Sequence, residues 1–388
     1  MIGLLDAETV IVQFHFTEDD LWAVPVGLAP DGRPRLLLAP DAIPHQPGVL
    51  RTIRDLATRQ HAQLEAIIRH RCDPWQAERA AGADALQELY RSVWEAIGGD
   101  ELVETLTRAT GRVAAELHLV LVPDGPLCEL PLHAFVAGPG GERLYQRFRS
   151  TRYGLSLRTL TLQKTVDRGP ETATPGALRG VLFANPAQAE AYLPGVREEV
   201  SRLVEIAPRG WWVHGDTEDP EYRATVQNFF TRHGSGELLW ACGHGLEGAD
   251  NEYRAFELSL CDGAVGAQEL LGRAYDFRRV EVVVLSSCCL GKMDPGRGLS
   301  REIEAYQAIL ALRGCRRVTS ALWPLLDHAA TVFAEHYFRR LYGLGRDSAD
   351  GHSFSAAFKT ALDEFRACEG GMFDHEFFWA PYTNYGLG

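Results

Sequence analysis

The chain has 388 residues, of which 46% are hydrophobic and 23% charged, a composition typical of folded globular proteins. Its 39 basic and 52 acidic residues give a net charge of −13, which argues against a nucleic-acid-binding surface. We find no apolar run near the roughly 20 residues that span a bilayer, and no signal-peptide pattern, so we expect no membrane partner.

Cysteine usage indicates the compartment. Eight cysteines in a chain of this length do not make a compact disulfide framework, and several lie inside apolar strand patterns, as buried thiols do. We therefore expect a cytoplasmic protein.

The length predicts two domains. In the first, residues 1–165, the patterns predict short strands at 10–16, 21–26 and 35–38, helices at 48–70, 83–97 and 101–110, and a buried strand at 117–122. A segment at 164–176, rich in proline and threonine and without apolar periodicity, is the predicted linker.

Beyond the linker, in residues 177–388, strands and helices alternate. Strands are predicted at 180–184, 238–242, 281–285 and 317–322, and helices at 195–206, 221–233, 269–274, 299–313, 329–341 and 355–368. The aromatic segment 377–385 is predicted to be strand-like. All-apolar strands that alternate with helices predict an α/β fold, with a mostly parallel sheet covered on both faces.

Two short motifs follow neighbouring strands of this pattern. Gly243-His244-Gly245 comes after one predicted strand, and Ser287-Cys288 comes after the next. Parallel strands that end at the same edge of a sheet bring the loops that follow them together, and this edge is where open α/β sheets place their chemistry. His244 and Cys288 therefore make a candidate thiolate–imidazole dyad.

The chemistry requires both residue types. A free cysteine is only a few per cent thiolate at pH 7, so a nucleophilic Cys288 needs a nearby imidazole. His244 would take the thiol proton and later protonate the leaving amine. Cys289 is a rival nucleophile, but adjacent residues leaving a strand point in different directions, so only one of the two cysteines can face His244.

These motifs, in this order, resemble the CHAT proteases, caspase-like peptidases often attached to tetratricopeptide repeats. The similar segments are 122–127 with 130–131, 185–186, 193–200, 241–245, 285–288 with Gly291, 320–327 and 378–382. Two departures stand out: Cys289 takes the place of a usual acidic residue, and no tetratricopeptide repeats precede the domain.

The resemblance implies a caspase-type αβα fold with an inactive caspase-like lobe at 1–165 and a catalytic lobe at 177–388. It implies a cysteine endopeptidase that makes limited cleavages in a protein substrate, in bacterial defence or regulated cell death, under a protein activator or inhibitor and without a cofactor. The glycine-rich loop 291–300 is a candidate regulatory switch.

The resemblance also assigns site residues. It selects Cys288 over Cys289 as the nucleophile, and it makes Gly245 and the N–H of Cys288 the oxyanion donors. Trp323 and Asp327 follow the strand that borders the substrate groove. Asp327 would read a basic residue, orient a catalytic group, or cap the helix that begins near Ala329, and these alternatives stay open.

Two other functions compete with proteolysis. A catalytically silent scaffold in a signalling complex would keep the fold without the chemistry. A structural zinc site would draw its ligands from cysteine and histidine side chains, but the spacing disfavours it because no Cys-x2-Cys pair is present; the residues considered are Cys242, His244, Cys261, Cys288 and Cys289.

Overall fold

The computed structural model of the protein describes residues 8–28, 34–38, 44–70, 86–138, 140–165, 178–185, 187–188, 191–207, 211–247, 256–272, 275–287, 306–344 and 353–386. Cys288, Cys289 and the loop 291–300 lie outside the described residues, as does the predicted linker apart from Lys164 and Thr165, which end a helix.

The chain divides into two compact units. The N-terminal unit contains the described residues up to Thr161 together with His375–Ala380, and the C-terminal unit contains the remainder from Leu162 onward.

The first part of the chain contains both strands and helices. The strands are β1 (Thr9–Thr17), β2 (Asp20–Leu28), β3 (Pro34–Leu36), β4 (His45–Gln46), β5 (His118–Val122) and β6 (Ser150–Tyr153). The helices are α1 (Leu50–His70), α2 (Leu86–Ala96), α3 (Gly99–Thr110), α4 (Leu144–Arg147) and α5 (Leu157–Thr165).

The later elements alternate more regularly. The strands are β7 (Gly180–Asn185), β8 (Ala187–Gln188), β9 (Ala191–Tyr192), β10 (Trp212–His214), β11 (Leu238–Gly243), β12 (Gly245–Glu247), β13 (Phe256–Leu260), β14 (Gly263–Gly266), β15 (Val282–Ser287), β16 (Arg317–Ala321) and β17 (Tyr382–Gly386). The helices are α6 (Pro194–Ile206), α7 (Val226–Arg232), α8 (Ala267–Gly272), α9 (Tyr306–Leu312), α10 (Asp327–Leu341), α11 (Phe354–Ala367) and α12 (Glu376–Trp379).

In the N-terminal unit, β1 is parallel to β5, and β5 is parallel to β6, while the β1–β2 hairpin and the short strands β3 and β4 are antiparallel. Helix α2 buries Leu86, Leu89, Tyr90 and Val93, which recur at the spacing of one helix face. Burial of this face drives the helix to pack against its neighbours.

The sheet of the C-terminal unit has the order β10-β7-β11-β15-β16-β17. The strands from β10 to β16 are parallel, and only β17 runs antiparallel to its neighbour. Every residue of β7 and β11 is buried, as expected for central strands of a parallel sheet. The predicted α/β fold with a mostly parallel sheet is confirmed.

Helices cover both faces of this sheet. Phe183 and Ala241 lie opposite each other on β7 and β11, as do Leu182 and Trp240. Side chains alternate between the faces of a strand, so Phe183 and Trp240 lie on opposite faces. The Phe183 ring packs on Phe229 of α7 (5.1 Å between centroids), and the Trp240 ring packs on α10.

Several predicted boundaries differ from the structure. The helix predicted at 221–233 begins only at Val226, because the Thr225 hydroxyl caps it by accepting the N–H of Asn228 (3.1 Å). The helix predicted from Ala329 begins at Asp327. The strand-like segment predicted at 377–385 is the helical turn α12 followed by β17.

The segment His375–Ala380 is anchored by a buried ion pair. Glu376 accepts from the guanidinium of Arg143, and both side chains are buried. The fully buried Trp379 contacts the His133 ring at 6.1 Å. Burial lowers the pKa of His133 to about 3, so this histidine is neutral at physiological pH and fills core space.

No helix within the described ranges is both long enough and apolar enough to cross a membrane.

Candidate active site

The ends of β11 and β15 define the candidate site. The two strands pair in parallel from Leu238 opposite Val282 to Gly243 opposite Ser287. His244 and Cys288 are the next residues in sequence after these paired ends. His244 is half-buried and is described in the structure, whereas Cys288 lies outside the described residues, so the pairing of the two strands is the structural link between them.

Gly243 is required by its surroundings. Its φ of 154° lies at the border of the region that favours glycine, and an added Cβ would lie 2.9 Å from the Asn185 carbonyl oxygen on β7. The absence of a side chain lets β11 approach β7 closely at the point where the chain turns towards His244.

The backbone of His244 is held by a neighbouring strand. Its carbonyl oxygen accepts the Ser259 N–H of β13 at 3.1 Å. The Ser259 hydroxyl in turn accepts from Asn185 Nδ2 at 3.2 Å, and both side chains are buried. The last residue of β7 and a residue of β13 therefore fix the position of the chain at His244, and sequence reasoning assigned no role to either.

Gly245 begins β12 and lies opposite Leu258 of β13 in an antiparallel ladder. Because the Ser259 N–H donates to the His244 carbonyl, Gly245 and Leu258 form a non-hydrogen-bonded pair of this ladder. The Gly245 N–H is therefore directed away from β13. An oxyanion donor needs an N–H that the ladder does not use, and Gly245 meets this requirement.

Asp327 caps a helix other than its own. It is the first residue of α10, and its carboxylate accepts the Gly195 N–H of α6 at 2.7 Å. Gly195 follows Pro194 at the start of α6, where N–H groups lack partners within the helix and a negative charge is favourable. Asp327 thus makes its capping contact with α6, and not with the helix near Ala329 that one of the sequence-based alternatives named.

Trp323, the other predicted substrate-binding residue, lies just after β16 and is 4% exposed. Roles for Trp323 and Asp327 in substrate binding stay predictions.

The contact between α6 and Asp327 leads to a test. An alanine Cβ at Gly195 would lie 2.5 Å from Asp327 Cγ and 2.9 Å from the Asp327 carbonyl oxygen. We expect Gly195→Ala to lower the free energy of unfolding by about 1–3 kcal/mol, the usual cost of overpacking, in thermal denaturation. Gly272→Ala is the matched control, because nothing lies within 4 Å of its added Cβ. Equal stability of the two variants would contradict this packing.

A buried carboxyl group lies beneath the two strand ends. Glu199 of α6 is 2% exposed, and its Oε1 accepts from Trp240 Nε1 at 2.7 Å. Its Oε2 accepts from the Ser286 hydroxyl at 3.0 Å. Burial, reinforced by the charge of Asp327, outweighs these hydrogen bonds and raises the pKa of Glu199 to about 8. The carboxyl group is therefore mostly protonated at neutral pH.

Sequence reasoning missed Glu199, although a signal was present. Val196, Glu199 and Leu203 are spaced at i, i+3 and i+7, and all three lie on the buried face of α6. An acidic residue at such a position indicates a buried carboxyl with specific partners.

The cysteines described in this region are poorly suited to nucleophilic chemistry. Burial, with the charge of Glu199, raises the pKa of the Cys242 thiol well above its ordinary value. Burial also raises the pKa of Cys261. Within the part of the chain that the structure describes, no group of three or more His, Cys, Asp or Glu side chains is arranged to hold a metal ion.

In the N-terminal unit, His118 and Cys128 are the nearest counterparts of the dyad. His118 Nδ1 lies 2.7 Å from the Ser150 hydroxyl, at the start of β5. Cys128 lies in a 3-10 turn after the same strand and is half-buried. That this unit supplies no catalytic residue stays a prediction.

Comparison with known proteins identifies the fold. The chain is similar to the Arg-specific cysteine proteinase gingipain R of Porphyromonas gingivalis, with a TM-score of 0.51 and 12% identity, over 74% of this chain and 66% of that one. It is also similar to a chain of the Saccharomyces cerevisiae separase–securin complex, with a TM-score of 0.58 and 11% identity, over 99% of this chain and 30% of that one. No curated protein matches the chain in sequence.

At these identities the similarity shows the fold alone, which is that of the caspase-like cysteine peptidases, as predicted. The chain spans less than two thirds of the separase chain and just under two thirds of the gingipain chain. The family model for the CHAT domain matches residues 83–387, most of the length of the sequence. The chain belongs to the CHAT-domain family.

Proposed function

We propose that the protein is a cysteine endopeptidase in which Cys288 is the nucleophile and His244 is the general acid and base. The observation that supports this most strongly is the register of β11 and β15. Gly243 pairs with Ser287, so the histidine and the cysteine each follow directly after paired residues at the carboxyl edge of a parallel sheet, where α/β folds place catalytic groups.

The proposed reaction forms an acyl-enzyme. His244 accepts the proton of Cys288, and the thiolate attacks the carbonyl carbon of the scissile peptide bond, forming a C–S bond. The protonated imidazole then gives its proton to the leaving amine as the C–N bond breaks. Water, deprotonated by His244, hydrolyses the thioester, and the carboxylic acid and the thiol are released.

Gly245 and the backbone N–H of Cys288 are the proposed oxyanion donors. The direction of the Gly245 N–H, away from the β12–β13 ladder, supports this role. Two N–H groups aimed at the tetrahedral oxygen stabilise the charge that develops there, and one such donor is worth about 3 kcal/mol in other enzymes.

The proposed substrate is a specific protein that is cut at few sites, in bacterial defence or regulated cell death in the cytoplasm. A protein activator or inhibitor would control the reaction. The family resemblance supports this setting. A peptide that binds in extended form along the segment that follows β16, near Trp323 and Asp327, would fit the usual mode of recognition in such grooves.

The function is tested by incubating the protein with the products of neighbouring genes and mapping any cleavage by mass spectrometry. Wild type, Cys288→Ala and Cys289→Ala are compared. We expect cleavage by wild type and by Cys289→Ala, and none by Cys288→Ala. Cleavage that survives in Cys288→Ala would exclude this nucleophile, and lack of cleavage by wild type would favour a scaffold.

A further inference from the structure

The carboxyl group of Glu199 connects the two strands that precede the proposed dyad. Trp240, its partner on β11, lies four residues before His244, and Ser286, its partner on β15, lies two residues before Cys288. Glu199 itself is 2% exposed.

The helix that carries Glu199 is itself fixed. The Gly195 N–H donates to the Asp327 carboxylate at 2.7 Å, and the Gly195 carbonyl oxygen accepts from the Thr331 hydroxyl at 3.1 Å. The first turn of α6 is therefore bound to α10 through both the N–H and the carbonyl group of Gly195. Because Glu199 lies one turn further along, its carboxyl group is held in place against the sheet.

The electrostatic surroundings of Glu199 favour its neutral form. Asp327 of α10 disfavours a negative charge on it. The partners on β11 and β15 are an indole and a hydroxyl, and the nearby Cys242 thiol of β11 stays neutral. When the carboxyl group is protonated, its O–H can donate to the Ser286 oxygen, so the contact persists with donor and acceptor exchanged.

We propose that Glu199 is a positioning residue for the dyad. Its neutral carboxyl group connects β11 to β15 by hydrogen bonds directly before His244 and Cys288, and its ionisation weakens this connection. This inference rests on the proposed function. Among the described residues, no cationic side chain acts on Glu199. A buried anion in such surroundings needs more hydrogen-bond donors or water than Trp240 and Ser286 provide. Ionisation therefore favours a rearranged strand end in which the reactivity of Cys288 is lower.

The test measures the rate at which iodoacetamide alkylates Cys288, by peptide mass spectrometry, from pH 5.5 to pH 9. Wild type is compared with Glu199→Gln, which keeps the shape of the neutral acid and cannot ionise. The matched control is Glu198→Gln, since Glu198 is the adjacent acid on α6 and is half exposed, in an ion pair with Arg202.

We expect Glu199→Gln and wild type to react at equal rates near pH 6. At pH 9 wild type should be slower by about tenfold, which corresponds to a free-energy difference of about 1.4 kcal/mol in favour of the rearranged, less reactive strand end. The ratio of Glu198→Gln to wild type should stay within about twofold throughout. A merely structural role of Glu199 would change rates equally at every pH, so a ratio of Glu199→Gln to wild type that does not vary with pH overturns the proposal.

If Glu199→Gln does not fold, as judged by near-ultraviolet circular dichroism, Ser286→Ala decides the question. This variant removes the Ser286 hydroxyl that bonds to Glu199. We expect its Cys288 to be alkylated at least about fivefold more slowly than that of wild type, with the fold kept. An unchanged rate overturns the proposal. His244→Ala tests the proposed function separately. If Cys288 is alkylated at the wild-type rate in this variant, the dyad is excluded, whatever the result for the Glu199 variants.

Discussion

Replacing His244 by alanine should lower turnover by at least about a thousandfold, because the variant loses both the base that forms the thiolate and the acid that protonates the leaving amine. Alkylation of Cys288 should also slow. The fold should remain intact, since His244 is only half-buried and alanine keeps the backbone carbonyl that accepts the Ser259 N–H.

The measurements are substrate cleavage, iodoacetamide mapping and thermal denaturation. His328→Ala is the matched control, because His328 belongs to the same unit and is exposed, with Glu369 3.4 Å from its ring. It should react as wild type does. Full turnover in His244→Ala would refute the dyad, and alkylation of Cys289 in place of Cys288 would exchange the roles of the two cysteines.

The central strands could be predicted from sequence because burial leaves a local signal. The apolar run 238–242 is β11 up to its last residue, and the run 282–285 is the start of β15. A strand that is covered on both faces must be apolar at nearly every position, so its identity and its end can be read without knowing the neighbours. His244 could be located for the same reason.

Short elements leave no such signal. β10 has three residues and β14 has four, which is too short for a period to be recognised with certainty. β13 (Phe256–Leu260) does alternate apolar and polar residues, and sequence reasoning missed it. α12 was predicted to be strand-like because its sequence is aromatic. The His375 side chain, which accepts the Phe377 N–H at 3.1 Å, and burial of the turn stabilise the helical form.

The polar contacts of the candidate site depend on distant partners. Glu199 is 41 residues from Trp240 and 87 from Ser286, and Asp327 is 132 residues from Gly195. A sequence pattern can mark Glu199 as buried, but only the packing of α6 on the sheet decides which donors it meets. The sequence suggested that Asp327 caps the helix near Ala329, whereas the tertiary fold brings its carboxylate to the Gly195 N–H of α6.

Glu199 should make the stability of the protein depend on pH in a direction opposite to that of an ordinary carboxylate. Its pKa is about 8 in the folded protein against an ordinary value of 4.5. Between these values the folded state binds one proton more than the unfolded state. The free energy of unfolding therefore falls as pH rises, by about 1.4 kcal/mol per pH unit.

The stabilising effect of this proton is fully present below pH 4.5 and is lost as pH rises through 8. Glu199→Gln has no such ionisation, so its stability relative to wild type should increase from pH 5 to pH 8, by about 4 kcal/mol in total, and then level off. Urea denaturation followed by tryptophan fluorescence at each pH measures the difference. All other titrating groups are shared by the two proteins and cancel. Glu198→Gln, which changes an exposed carboxylate on the same helix, should follow the wild-type curve, and parallel curves for wild type and Glu199→Gln would show that this carboxyl group is ionised in the folded protein.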